Sequence, residues 1–333
     1  MSACVLSGPL TVRVDERRVP EPAADEVLVR VAAVGVCGSD VHYYREGRNG
    51  DRVVRGPLVL GHEASGTIVG AGAAVDQARV GQRVSVEPQR SCRTCLQCKA
   101  GRYNLCPTMR FYGSPPVDGA FAQFVTIASD FAHCVPDRLS DDAAALLEPL
   151  SVCVAAAQKA RIGVGSRVLI AGAGPIGLIL TQVARAFGAA EVTVSDPLAE
   201  RRDLAGRLGA TSTLDPAVPR EAPLGVDAFV DASGVSAAVV AGIRDTGPAG
   251  VVVLVGLGSD QIPVPVADIM NRELTVTGVY RYAGTWPTAI HLAASGQVDL
   301  DAVVTGHFTL DEVALALESD RTPGALKSMV VPW

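Results

Sequence analysis

The stretch VLIAGAGPIGLILTQVARAFGA (Val168–Ala189) decides the fold. It opens as a short run of apolar, β-branched residues, passes through Gly172-x-Gly174-Pro175-Ile176-Gly177, and continues as an apolar segment of helical period. A strand followed by three spaced glycines and a helix lets the backbone turn tightly and approach a pyrophosphate at the helix N-terminus. The next apolar run, EVTVSD, ends on Asp196, whose carboxylate suits the ribose hydroxyls of a dinucleotide. That carboxylate would repel a 2′-phosphate, so NAD is favoured over NADP; Arg201 and Arg202 nearby are the opposing signal. The alternative of a glycine-rich turn that binds nothing lacks support from the strand–helix–acid context.

Outward from that stretch the rhythm repeats. RVLIAG, EVTVSD, ATSTLD, VDAFVDASG, VVVLVGLGS and LTVTGVY are short apolar runs, most separated by stretches of helical period. Such alternation predicts a parallel sheet covered on both faces. The first 130 residues differ: TVRVDERRVPEP, EVLVRVAAVGV, ASGTIVGAG and GQRVSVEP read as short strands broken by Gly and Pro, hence a mostly β domain. SDDAAALLEPLSVCVAAAQKA begins with Ser140 as N-cap and acidic residues in the first turn, which predicts helix. The tail after Ala283 has a helical segment around TWPTAIHLAASG, an amphipathic stretch LDEVALALESD and a closing strand. It is expected to return to the first domain. The fold class is therefore α/β, with residues 1–150 and 284–333 forming one domain and 151–283 the dinucleotide-binding domain.

A chain of 333 residues suits two domains, and 48% hydrophobic with 19% charged residues is a globular composition. The net charge of −6 gives no reason to expect nucleic acid or an anionic membrane as partner. No apolar run reaches the roughly 18 residues of a membrane span, and no signal-peptide pattern is present. A reducing cytoplasm is the expected location, where eight cysteines read as metal ligands or buried thiols.

Four of them, Cys92, Cys95, Cys98 and Cys106, follow C-x2-C-x2-C-x7-C spacing in a lobe at about 90–108. Thiolates at that spacing converge on one ion, and a closed four-sulfur site is a structural zinc site. Disulfides lack an export signal, and the proline-marked iron–sulfur spacing is missing. Cys37 stands apart in GVCGSDVHYY. Its expected partners are His62 and Glu63 in GHE and Glu148 in LLEPLSV, a mixed S/N/O set with an open position. Cys4, Cys134 and Cys153 read as small buried residues.

GHEASGTIVGAG, CGSDVHYY, the four-cysteine lobe, FYGSPPVDGAF, LLEPLSV, AGAGPIG and VYRYAGTWP together resemble the zinc-dependent medium-chain alcohol dehydrogenases, over essentially the whole chain and in order. More narrowly they resemble the sorbitol/xylitol branch. The resemblance implies a GroES-like catalytic domain with a Rossmann domain inserted before the tail, and a homodimer or homotetramer. It implies two zincs per chain, the reacting one on Cys37 and His62 with Glu63 and Glu148, the latter where simple alcohol dehydrogenases carry a second cysteine. It places Ser39 and His42 in a proton relay. Substrate contacts fall on Tyr43, Phe111, Ser114, Glu148, Arg281 and Tyr282. Cofactor contacts fall on Ile176, Asp196, Arg201, Val255, Gly256, Leu257, Val279, Tyr280 and Arg281, beside the glycine motif with Pro175. The implied reaction is NAD-linked oxidation of a secondary hydroxyl of a polyol to a ketose. Asn49, Arg52 and Ser114 depart from the branch at the substrate mouth, which keeps a cyclitol, aminocyclitol or threonine-like amino alcohol open as substrate. A non-catalytic dinucleotide-binding scaffold and a zinc-free quinone reductase are the remaining alternatives; an intact open metal site speaks against both.

Overall fold

The computed structural model describes residues Met1–Trp333, which divide into two compact units. The first comprises Met1–Glu148 with Leu300–Trp333, the second Pro149–Asp299.

In the second unit six parallel strands, Arg167–Ala171, Glu191–Ser195, Ser212–Leu214, Val226–Asp231, Thr246–Leu254 and Thr275–Gly278, lie in the spatial order 3-2-1-4-5-6. That order reverses beside the first strand, which is where open α/β sheets place their ligand crevice. The first strand runs directly into the glycine turn and the helix Pro175–Ala186. Gly174 is its N-cap and Pro175 its first residue, where the missing N–H costs nothing. Gly172 has φ 95°, and a Cβ on Gly177 would lie 1.8 Å from the Gly172 carbonyl oxygen, so both positions require glycine.

In the first unit the main sheet has seven strands. Glu26–Gly35 is central: it pairs antiparallel with Glu63–Ala71 on one side and with Lys327–Val330 on the other, while Phe124–Ala128 also pairs with it. The hydrophobic face of this sheet closes over Val29, Val31, Ile68, Phe121 and Ile127. Ser140 caps the helix Asp141–Ala145, its hydroxyl accepting from the Ala143 N–H at 2.9 Å. A second helix, Leu147–Lys159, follows at once and carries Glu148 in its first turn.

The domain limits differ in one place from the expected 284. The helix Trp286–Ala294 stays with the second unit, and the chain returns only at Leu300. Reciprocal bonds explain this: Gln182 donates to the Asp299 carbonyl at 3.1 Å and accepts from the Asp299 N–H at 2.7 Å, which fastens the segment to the glycine-motif helix. Cys4 and Cys153 are buried as expected, and burial pushes the Cys4 thiol up to about 12. Cys134 is not buried. It ends the edge strand Ala132–Cys134, exposed, with its thiol 3.0 Å from Gln82 Oε1.

Gly242, on the helix Ser236–Asp245, lets the Phe229 ring sit against the backbone; an added Cβ would meet that ring at 2.1 Å. Gly242→Ala is expected to lower the stability of the second unit by about 1–3 kcal/mol through overpacking, despite its better helix propensity. Denaturant unfolding followed by far-UV dichroism checks it; an unchanged or raised midpoint would contradict this packing.

Candidate active site

Cys37 is the N-cap of the helix Gly38–Glu46, and His62 and Glu63 lie where the strand Glu63–Ala71 begins. The sheet brings them together because Gly35 and Glu63 are register partners. Ligand atoms of Cys37, His62 and Glu63 all fall within 4.8 Å of one another, with the histidine and glutamate buried. Glu148 is buried too, 5% exposed, but stands outside this trio.

Two residues that the sequence reading did not single out organise the cluster. Asp40 is fully buried and accepts from the Cys37 N–H at 3.0 Å and from the Gly61 N–H at 3.0 Å. Its Oδ1 is also 3.5 Å from His62 Nδ1. A carboxylate facing Nδ1 fixes the ring and leaves Nε2 as the ligand atom. The signal was the acid three residues after Cys37, a capping pattern in which cysteine takes the usual Ser/Thr place. Lys327 had no local signal. Its Nζ donates to Glu63 Oε1 at 2.7 Å and to the Val36 carbonyl at 2.8 Å. Glu63 Oε2 lies 2.6 Å from the same Nζ but has no aligned hydrogen bond, which leaves that oxygen with capacity to coordinate. Gly35 makes room for it: a Cβ there would lie 2.0 Å from Oε2.

The electrostatics favour a cation at this point. Burial pulls the His62 imidazole down, yet Asp40 and Cys37 outweigh it and hold it well above its usual range. Burial likewise opposes the Lys327 charge, and Glu63 and Cys37 overcome it. One sulfur, one imidazole and a carboxylate fit catalytic zinc with a position left open.

The other expected residues of this unit sit around the trio or apart from it. The Phe111 ring packs on His62 at 5.3 Å between centroids. Tyr43 and Ser114 are buried and share a hydrogen bond of 3.1 Å between hydroxyls. His42 is partly exposed and pairs with Glu46, one helical turn on, at 3.1 Å; no hydrogen bond joins it to Ser39. Asn49 and Arg52 face each other across a two-stranded hairpin.

Cys92, Cys95, Cys98 and Cys106 form the second cluster, their sulfurs within 4.8 Å of one another. Backbone N–H groups aim at the sulfurs: Cys95 N at Cys92 Sγ, and Cys92 N at Cys106 Sγ, each at 3.3 Å. The N–H groups of Thr94 and Cys95 bring the Cys92 thiol down to about 5, while burial pushes Cys98 up to about 11. Four converging sulfurs with no vacancy fit a structural zinc.

In the second unit a cavity of about 880 Å³ is lined by Gly172, Gly174, Asp196 and Arg201. The Asp196 oxygens accept from the Ala173 N–H at 2.8 Å and the Leu198 N–H at 2.9 Å. Arg202 instead donates to the carbonyls of Asp196 and Pro197 and pairs with Asp215. Ile176 sits half-buried in the first turn of the helix. The N–H groups of Val255 and Gly256 bond the Asp231 carbonyl, and Leu257 beyond them is exposed. Val279 bonds the Leu254 carbonyl, and Arg281, at φ 57°, lies over the Tyr280 ring. Tyr282 is buried against Trp286. The six expected substrate residues thus divide between the units, Arg281 and Tyr282 in the second and the others in the first.

An open sulfur–imidazole–carboxylate cluster, a closed four-cysteine cluster and a dinucleotide cradle occur together in one chain. Residues 23–137 match the alcohol dehydrogenase GroES-like domain family and 175–295 the zinc-binding dehydrogenase family. Sorbitol dehydrogenase of Bos taurus is 40% identical over 98% of this chain and 94% of its own length. That of Bacillus subtilis is 40% identical over 100% and 97%. A solved structure described as a zinc-binding dehydrogenase, from Sinorhizobium meliloti and bound to NADP, is 34% identical and superposes with a TM-score of 0.92 over 99% of both chains. The chain belongs to the zinc-binding medium-chain alcohol dehydrogenases, among the relatives of the sorbitol and xylitol enzymes. It is an oxidoreductase of that family, with a nicotinamide cofactor.

Two expectations follow from the buried supports. Asp40→Asn should weaken zinc at the Cys37 cluster about 10–100-fold, the usual cost of losing a carboxylate behind a ligand histidine; chelator competition measures it, and unchanged retention would remove Asp40 from that role. Lys327→Met should destabilise the metal-free chain by about 3–5 kcal/mol, because it strands the Glu63 carboxylate. Urea unfolding in chelator reads this, with Lys327→Arg expected to retain most of the stability.

Proposed function

We propose that this enzyme oxidises a secondary hydroxyl of an acyclic polyol of the sorbitol/xylitol type to the ketose, with NAD as the hydride acceptor. The observation that carries this reading is the Cys37–His62–Glu63 cluster, whose ligand atoms lie within 4.8 Å of one another in the same unit as the buried hydroxyl pair of Tyr43 and Ser114. When bound, zinc supplies Lewis acidity that lowers the pKa of the substrate hydroxyl, and the nicotinamide accepts the hydride.

The chain's own residues do the rest. Cys37, His62 and Glu63 would hold the metal, and Glu148 is a further buried carboxylate of the same unit that could serve as a ligand. A carboxylate is a harder and more exchangeable ligand than thiolate, which suits a metal handling oxygen ligands. Asp40 keeps the His62 ring oriented. The paired hydroxyls of Tyr43 and Ser114 meet the polyol's neighbouring hydroxyls, and a site built to bond such groups discriminates strongly against substrates lacking them. Phe111 packs its ring on His62. His42, partly exposed and paired with Glu46, passes the released proton to water, with Ser39 as the other member of the relay.

On the cofactor side, each Asp196 oxygen already accepts one backbone N–H and retains a lone pair for the ribose hydroxyls. Of the two arginines able to hold a 2′-phosphate, Arg202 is committed to carbonyls and to Asp215. Arg201 lines the cavity and is the opposing signal, while Asp196 and the commitment of Arg202 support NAD. The polar hairpin with Asn49 and the exposed Arg52 favours a second reading, a cyclitol or aminocyclitol, within the same chemistry.

The test is reduced-nicotinamide formation across xylitol, sorbitol, galactitol, ribitol, myo-inositol, threonine and simple alcohols, with and without chelator, using NAD and NADP. Chelator-sensitive turnover on acyclic polyols with NAD is expected. His62→Ala should reduce it about a thousandfold or more, the several kcal/mol a Lewis acid contributes. Turnover on myo-inositol alone would replace the polyol by a cyclitol, and a preference for NADP would overturn the role given to Asp196.

A further inference from the structure

Apart from the metal clusters and the nucleotide cradle, the first unit holds a cavity of about 410 Å³. Four arginines line it, Arg17, Arg18, Arg90 and Arg110, with Tyr112 and a single carboxylate, Asp118. This is a concentration of positive charge in a chain whose net charge is −6. None of the residues assigned above to zinc, substrate or cofactor lines it.

The arrangement is under electrostatic tension. Arg90 and Arg110 are direct cross-strand partners in the two-stranded ladder of Gln89–Arg90 with Arg110–Phe111. Side chains so paired project from the same face about 5 Å apart, and like charges at that distance repel. The buried Glu26 carboxylate pairs with Arg90, and Asp118 pairs with Arg17 at 2.7 Å while also accepting from the Val59 N–H at 2.9 Å. Those two guanidinium groups are therefore held in place. Arg18 and Arg110 are exposed and have no carboxylate in ion-pair reach, so the charge of half the cluster is uncompensated.

Guanidinium forks match the geometry of a phosphate group and bind it by paired charge-assisted hydrogen bonds. A cavity above roughly 300 Å³ has room for a small organic molecule as well as the anionic group. We propose that this cavity binds the phosphomonoester of a small metabolite, with Arg110 and Arg18 as the groups that take the phosphate and Arg90 and Arg17 as fixed supports. Successive strand residues point to opposite faces. Arg110 thus serves this cavity while the next residue, Phe111, packs on His62. The two sites lie back to back on one short strand.

The experiment is titration calorimetry on the full, zinc-loaded chain at low salt, with NADH saturating so that the pyrophosphate cradle is filled. Inorganic phosphate, glucose 6-phosphate and glucose are titrated separately into the wild type and into the Arg18→Gln/Arg110→Gln double variant. One saturable site per chain is expected, tighter for glucose 6-phosphate than for phosphate and silent to glucose. The double variant should lose at least tenfold in affinity while keeping its melting temperature and its polyol turnover in phosphate-free buffer. Absence of saturable binding, or binding that the double variant retains in full, would overturn the proposal. Equal affinity for phosphate and glucose 6-phosphate would overturn the phosphomonoester and leave a site for free oxyanion.

Discussion

Asp40 has no contact with water, and each of its oxygens is committed to a different part of the chain. One takes the Cys37 N–H at the start of a helix; the other takes the Gly61 N–H and faces His62. A buried carboxylate left unsatisfied is costly, so its satisfaction fixes two segments more than twenty residues apart in sequence. Those segments carry the sulfur and the nitrogen of the metal cluster. Had Asp40 been a serine, the helix would still be capped, but nothing would tie the helix start to the strand that brings His62. The catalytic arrangement is thus a consequence of hydrogen-bond completion, and the metal adds to a frame that already exists.

The second support is of another kind. Glu63 and Lys327 are both removed from water and repay their desolvation only through each other and the Val36 carbonyl. The pair leaves one Glu63 oxygen without an aligned donor, in the space that Gly35 keeps clear. A ligand held by a lysine on one side and offered to a metal on the other has two alternative partners of like sign. A metal bound there would compete with the Lys327 ammonium for the Glu63 carboxylate.

How far the sequence could be read depended on how local each signal was. The glycine turn, the strand before it, the helix after it and Asp196 fall within thirty residues and were legible. So was the Cys92–Cys106 lobe, because thiol spacing along a turning backbone is itself the geometry. Cys37 was grouped with His62, Glu63 and Glu148 from residue types and their setting in Gly-rich turns, and the resemblance supported the set, but nothing in their spacing states that Gly35 pairs with Glu63. Asp40 was not singled out: the capping pattern three residues after Cys37 was a local signal, but its partnership with Gly61 was not. Lys327 was not visible at all: its partner lies 264 residues away, and long-range pairing leaves no periodic trace. The return of the chain was placed too early because the helix Trp286–Ala294 has no strand after it, while the Gln182–Asp299 bonds that keep it in the second unit are tertiary.

The late return at Leu300 also sets an order of assembly. The central strand of the first unit, Glu26–Gly35, gains its neighbour Lys327–Val330 only from the end of the chain. During synthesis the ribosome therefore delivers the whole of the second unit before the first can close its sheet, although domains otherwise tend to fold as they emerge. Until then Glu63 has no lysine and remains a bare carboxylate beside Cys37. A nascent chain halted before Lys327 would present thiol, imidazole and acid without the cation that balances them, and any metal ion it met would be bound by an unfinished protein.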